Sequence, residues 1–450
     1  VRIARRETFA VTVGLVLVAA AFLLPRLHLG INPRRDTGLE RFASHAGAAP
    51  IFGYWDLHAG WGTVPAIVLA VVVVVWGPAV AQRLSWQALT VGTWATACAW
   101  AFSLAMIDGW QRGFAGRLTT RDEYLWQVPG VTDIPTTLRT FSSRILDFQP
   151  NSWVTHVSGH PPGALLTFVW LDRIGLHGGT WAGLLCLLIG SSAAMAVTIA
   201  VRALAGEQTA RRAAPFVAVA PTAIWIAVSA DGYFAGVAAW GIALLTVAVH
   251  GWSRFPALVA AGSGLLLGWA VFLNYGLMLM GLPALAVLIS AADWRAATRA
   301  LGPAVLAAVA VAVVFAAAGF YWFDGYTLVQ QRYWQGIASD RPFQYWGWAN
   351  LACAICAIGL GSVAGISRVF DTAAIRRRSG FHLLLLAVIA AIVCADLSML
   401  SKAETERIWL PFTVWLTAAP ALLQPRTHRG WLAVNAIGAL LLNSIIFTNW

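Results

Sequence analysis

The feature that most constrains this chain is repetition of one kind of segment. Apolar stretches of roughly a membrane's thickness recur from residue 8 to residue 449, separated by polar turns and a few longer loops. A bilayer core takes about 20 helical residues per crossing. Thirteen stretches read as spans: 8–25, 64–82, 88–107, 179–201, 214–229, 232–250, 256–273, 277–292, 301–320, 347–366, 380–397, 409–424 and 431–449. Charged residues make up only 11% of the chain and hydrophobic residues 59%, against about 25% charged in ordinary soluble domains. These proportions exclude a disordered chain, a coiled coil and a soluble globular enzyme. The expected fold is all-α: a polytopic integral membrane protein of about 13 transmembrane helices with juxtamembrane helices on the outer face. The run after Arg2, Arg5 and Arg6 is long and lacks a small-residue cleavage site, so it is expected to remain as a span.

Charge sets the orientation. With the N-terminus in the cytoplasm, one side collects 16 basic residues against Glu7, Glu207, Asp293 and Asp371, and the other collects 14 basic and 15 acidic residues. The two sides then carry +12 and −1, which obeys the positive-inside rule and accounts for the net charge of +11. The high pI is therefore assigned to cytoplasmic loops and not to nucleic-acid binding. The five cysteines lie in apolar stretches and form no disulfide framework. Cys353-x-x-Cys356 has no nearby Cys or His pair, so zinc is not expected.

The division gives three regions: N-terminal helices over 1–107, an extracytoplasmic loop with juxtamembrane helices over 108–178, and a bundle over 179–450 with outer loops 321–346 and 398–408. Most of the outer chemistry lies in three segments. The longest, Asp108–His160, holds Asp108-Gly109-Trp110, Asp122-Glu123-Tyr124 and, at its end, His156 and His160. Loops this long are functional or disordered, and the aromatic content favours order. Within it, Leu138, Phe141, Ile145 and Phe148 are spaced for an amphipathic surface helix over 136–148. Pro161-Pro162 starts the next apolar stretch, 161–176, which is too short to cross and is expected to be interfacial or re-entrant. Both histidines stand at the membrane surface ahead of these prolines, and a metal site there is not the expected reading.

The second segment, 320–350, carries Asp324, Arg332-Tyr333-Trp334 and Asp340-Arg341-Pro342 among tryptophans. These suit an interfacial aromatic belt or sugar stacking. The third is Lys402-Ala403-Glu404-Thr405-Glu406-Arg407, which holds the chain's only lysine beside 29 arginines. Asp231 and Asn274 add polar groups at outer helix ends.

The order of these motifs resembles the C-type membrane glycosyltransferase superfamily, in particular its protein O-mannosyltransferase and aminoarabinose-transferase branch. The likeness rests on the acidic Asp122-Glu123-Tyr124, then His160-Pro161-Pro162 38 residues after Asp122. It continues with the 202–206 turn, Ala220-Pro221 and Ser229-Ala230-Asp231, and Glu406-Arg407 is similar to a late pair in related mannosyltransferases. It covers roughly 108–250 and, more thinly, 400–415. Two extra spans and the 26–63 loop precede the acidic loop, so the family's catalytic acid maps to Asp108 or to Asp122.

The resemblance implies an inverting transfer of sugar from a polyprenyl-phosphate donor to an acceptor at the outer face of the cell membrane, among membrane lipids. Asp108, Asp122 and Glu123 are the candidate bases. Lys402, Arg407 and Arg332 are candidates to stabilise the leaving phosphate. Tyr124, His156, His160, Asp231, Asn274, Glu404 and Glu406 complete the expected binding residues. A divalent metal ion is the one cofactor left open. The alternatives are a lipid or polyprenyl-linked-sugar flippase and a non-catalytic envelope scaffold. A transporter site belongs near the midplane, where these spans carry almost no ionisable residues.

Overall fold

A computed structural model describes residues 4–27, 29–35 and 47–449. Arg2, Asp36, Glu40 and Trp450 lie outside the described residues. Every one of the thirteen apolar stretches contains helix. Among the described residues, eight helices are long and apolar enough to cross a membrane: Arg5–Leu27, Thr63–Arg83, Trp86–Ala105, Gly178–Ala205, Ala230–Val249, Pro256–Leu273, Trp294–Ala317 and Gly380–Leu397. A ninth is the bent pair Phe343–Ile358 and Leu360–Ile366. The other four stretches hold shorter, broken or less apolar helices: Glu207–Ala218 with Ala223–Ile226, Tyr275–Ile289, Leu410–Leu422 and His428–Ile445.

Ala230–Val249 is the central helix, with 83% of its apolar window buried, against 17% for Trp294–Ala317 and 11% for Arg5–Leu27 at the periphery. Its neighbours approach closely because small residues face it. A Cβ on Gly236 would lie 2.1 Å from the Ile189 carbonyl oxygen, the close packing that glycine permits between membrane helices. Serine and aspartate caps start several helices: Ser85, Ser229 and Asp293 each accept from a backbone N–H of the first turn.

At two breaks in apolar runs a side chain takes up a backbone group of the interrupted segment, as favoured in a bilayer. The 343–366 segment bends by 108° at Gly359, where φ is +79°. Asn435 Oδ1 there accepts from the Gly361 N–H at 2.7 Å. Between Ala218 and Ala223, Trp100 Nε1 donates to the Ala220 carbonyl at 3.1 Å.

Helix ends that the charge pattern assigns to one side meet at one end of the bundle. Asn443 bonds Leu104, and Trp322 bonds Val271. At the other end Arg211 bonds the Ala81 and Leu84 carbonyls, His250 meets Ser290, and Arg368 pairs with Glu7.

The 161–176 stretch is a 12-residue helix, Pro162–Arg173, too short to cross at 1.5 Å per residue. The continuous amphipathic helix expected over 136–148 is instead a helix Ile134–Thr140 followed by a single 3-10 turn, Ser142–Arg144. Leu138, Phe141 and Ile145 are buried against protein while Phe148 is exposed, so the apolar face packs on the bundle. A two-stranded pair, Gly53–Trp55 with Ile446–Thr448, ties the first long loop to the end of the chain.

Candidate active site

The 398–408 segment turns through three left-handed non-glycine residues, Met399, Ala403 and Glu404. Such residues cost about 1–2 kcal/mol each, so the turn must be held from outside. Asn350 does much of this. Its amide donates to Asp396 at 2.8 Å and to the Ser401 carbonyl at 2.9 Å, and its oxygen accepts from the Ala403 N–H. Lys402 Nζ donates to the Ala338 and Arg341 carbonyls, both at 2.7 Å, and Arg341 donates back to the Lys402 carbonyl. The ammonium also sits 4.3 Å from the centre of the Trp334 ring.

This turn presents a buried charged network. Glu404 accepts from Arg341 at 2.7 Å through one oxygen and from Arg407 at 2.5 Å through the other. Arg407 reaches Asp231, at the start of the central helix, at 2.5 Å. It also lies 3.1 Å from His156 Nε2, whose Nδ1 is 3.0 Å from Glu123 Oε1. One guanidinium thus joins the acidic loop, the central helix and the 398–408 turn. Burial alone would raise the Glu404 pKa, but Arg341 and Arg407 outweigh it and hold it down to about 2. Burial lowers the His156 pKa, and Glu123 more than restores it, leaving a net rise. Arg407 is shared by Glu404 and Asp231, Arg341 takes the other oxygen of Glu404, and the Lys402 ammonium is bound to carbonyls.

Tyr124 lies stacked between Phe168 and His156. Its hydroxyl, and Asp231 Oδ1, are buried with no hydrogen-bond partner among the described residues. Unsatisfied buried polar atoms at one locus are where a bound polar group would be welcomed. His160 packs on Tyr124 and gives Nδ1 to the His156 carbonyl at 2.7 Å; burial brings its pKa down to about 4.

The remaining expected residues lie at the edge of this network or in separate clusters. Asp122 is exposed, takes the Thr155 hydroxyl at 3.2 Å, and accepts the His156 N–H at its backbone carbonyl. Asp108 belongs to a second cluster, with His58 at 2.7 Å and Arg117 at 2.8 Å. Arg117 continues to the Thr448 carbonyl, so that cluster anchors the strand pair. Glu406 turns the other way and accepts the Phe52 N–H at 2.8 Å. Arg332 pairs with Asp147 at 2.6 Å, bracing the long loop. Asn274 caps a 3-10 turn through Gly276.

Arg341, Asn350, His58 and Arg117 were not expected. A lone amide inside an apolar stretch is a signal for Asn350, and Arg341 lies in a segment singled out for its aromatics. Nothing in spacing points to His58 or Arg117. Among the described residues no three His, Cys, Asp or Glu side chains are grouped to hold a metal ion.

No protein-family model and no curated protein sequence matches the chain. Solved structures do. The apo oligosaccharyltransferase from Archaeoglobus fulgidus superposes with a TM-score of 0.55 at 12% identity, over 81% of this chain and 57% of that one. Apo ArnT from Cupriavidus metallidurans superposes with a TM-score of 0.50 at 15% identity, over 80% of this chain and 77% of that one. The chain thus spans little more than half the length of the oligosaccharyltransferase. At these identities the likeness is one of fold alone.

Proposed function

We propose that this chain is a membrane glycosyltransferase that moves a sugar from a polyprenyl-phosphate donor to an acceptor hydroxyl at the outer face of the membrane. One observation carries the reading: the Glu123–His156–Arg407 chain of contacts, closed by Asp231 and Glu404, at the helix ends of a fold shared with two transferase structures.

The acceptor oxygen attacks the anomeric carbon, the bond from that carbon to the phosphate oxygen breaks, and the configuration inverts. The acceptor's proton goes to Asp122, whose carboxylate is exposed beside the network and so within reach of a bound acceptor. The electron pair leaves with the polyprenyl phosphate. Arg407 faces the charge that develops there, in a buried setting where a guanidinium stabilises an anion more than in water, and a neutral His156, accepting from Arg407 at Nε2, holds that guanidinium in place. Glu123 acts through His156, raising its basicity and fixing its ring; it is a positioning residue. The Asp108 carboxylate has both oxygens engaged by His58 and Arg117, which favours Asp122 as base.

Transfer from a radiolabelled polyprenyl-phosphate sugar, with membranes carrying matched levels of each variant, tests this. Asp122→Asn is expected to lose about 10²–10⁴-fold in turnover, and Arg407→Ala to lose at least as much. Asp108→Asn is expected to keep turnover once its folded level is matched. Wild-type turnover in Asp122→Asn would overturn the base assignment, and in Arg407→Ala the whole reading.

A further inference from the structure

The end of the bundle opposite the Arg407 network holds a cavity of about 440 Å³. It lies where the end of the Thr63–Arg83 helix, the start of Glu207–Ala218 and the 425–429 turn meet. The other ends of the first and last of these elements lie by Met106 and Leu104, next to Asp108. A 21-residue helix is about 30 Å long, so the cavity and the candidate active site are separated by the depth of a membrane.

Four arginines line it: Arg211, Arg212, Arg426 and Arg429. Arg211 is committed, with Glu207 at 2.6 Å and the Ala81 and Leu84 carbonyls taking its other donors. Arg212, Arg426 and Arg429 have no ion-pair partner among the described residues, and no acidic residue lines the cavity. His428 is buried there, its Nε2 3.1 Å from the Leu423 carbonyl; burial and Arg212 lower its pKa, so it adds a wall and not a charge. Pro78, Pro215 and Pro425 hold the rim. The positive-inside rule accounts for arginines on this side. It does not require three arginines without an ion-pair partner among the described residues to line one cavity.

We propose that this cavity is a binding site for a phosphate ester, held by Arg212, Arg426 and Arg429. Guanidinium forks match phosphate oxygens in pairs, and the volume exceeds one phosphate, leaving room for the group esterified to it. That phosphate could come from an anionic lipid headgroup in the adjacent leaflet or from a soluble phosphate compound. The site is independent of the transfer reaction proposed above.

The full chain, reconstituted in nanodiscs of phosphatidylcholine, is titrated with phosphatidylglycerol in one arm and inorganic pyrophosphate in the other, with bound probe read by native mass spectrometry. Three variants are compared with wild type. The first combines Arg212→Ala, Arg426→Ala and Arg429→Ala. The second, Arg426→Gln with Arg429→Gln, changes only exposed side chains and so guards against misfolding. The third removes the same charge elsewhere, through Arg376→Ala, Arg377→Ala and Arg378→Ala.

The expected result is saturable binding of one probe or both, weakened at least about tenfold in the first two variants, as befits the loss of charged hydrogen bonds, and unchanged in the third. Loss confined to phosphatidylglycerol identifies a lipid headgroup, and loss confined to pyrophosphate a soluble ligand. Absence of saturable binding to wild type, or equal weakening in the third variant, overturns the proposal.

Discussion

Two carboxylates two residues apart leave the same turn in opposite directions and end in opposite electrostatic settings. Glu404, between two guanidinium groups, is held down to about 2; Glu406, buried beside the Phe52 N–H with its second oxygen unpartnered among the described residues, is pushed up to about 7. The consequences have opposite signs. A depressed carboxylate stabilises the fold above its ordinary pKa and loses that contribution as pH falls towards 2. A raised one is favoured in its protonated form, so stability declines as pH climbs from the ordinary carboxylate range through 7. Glu406→Gln mimics the protonated acid. The variant should match wild type near pH 5 and exceed it near pH 8, by about 3 kcal/mol at the limit; thermal unfolding across that range in detergent checks it, and parallel melting curves would show that Glu406 stays charged.

Lys402 poses a different question at the same scale. The sequence suggested a phosphate contact, because one lysine persists among 29 arginines. Its ammonium instead closes two buried carbonyls. Lys402→Ala should therefore cost about 1–3 kcal/mol per orphaned carbonyl and lower the unfolding temperature. A donor contact would instead weaken donor affinity at unchanged stability, and measuring both at matched expression separates the two roles.

At the scale of elements, the apolar stretches were legible because hydropathy reports length and burial directly. The breaks inside them were not. Gly359 sits in an uninterrupted apolar run, and its bend is set by a partner 76 residues away in sequence, Asn435, through the Gly361 N–H. Asn435→Ala removes the acceptor and should cost about 1–3 kcal/mol without altering the apparent donor KM, since Asn435 lies away from the Arg407 network; a thermal shift together with a transfer assay tests it. The amphipathic reading of 136–148 failed for a related reason. Spacing identifies an apolar face but not what covers it, and Phe141 packs at a tilt on Trp153 and edge-to-face with Phe320 within the protein. The candidate site was half legible. Asp122-Glu123, His156, Asp231 and Arg407 stood out as polar groups at apolar helix ends, yet that one guanidinium would touch Glu404, Asp231 and His156 is a property of packing across hundreds of residues.

For the whole molecule, the decisive quantity is which way the bundle faces. The charge sums favour the Arg407 end outside, and the contacts gather that end's loops together: Arg332 with Asp147, Lys402 with Ala338, Arg407 with His156. A lipid-linked donor used at the outer leaflet requires this orientation, because the network would otherwise open to the cytoplasm. Ser143 is exposed in the long loop, and Thr372 is exposed beside the arginine-rich turn at the opposite end. In a cysteine-free background, Ser143→Cys should react with a membrane-impermeant maleimide on intact cells, while Thr372→Cys should react only after permeabilisation. Side chains on separate ends of 20-residue helices cannot share a compartment, so the pair must give opposite answers whichever way the bundle points. Labelling of Thr372→Cys alone on intact cells would invert the molecule and move the proposed transfer to the cytoplasmic face.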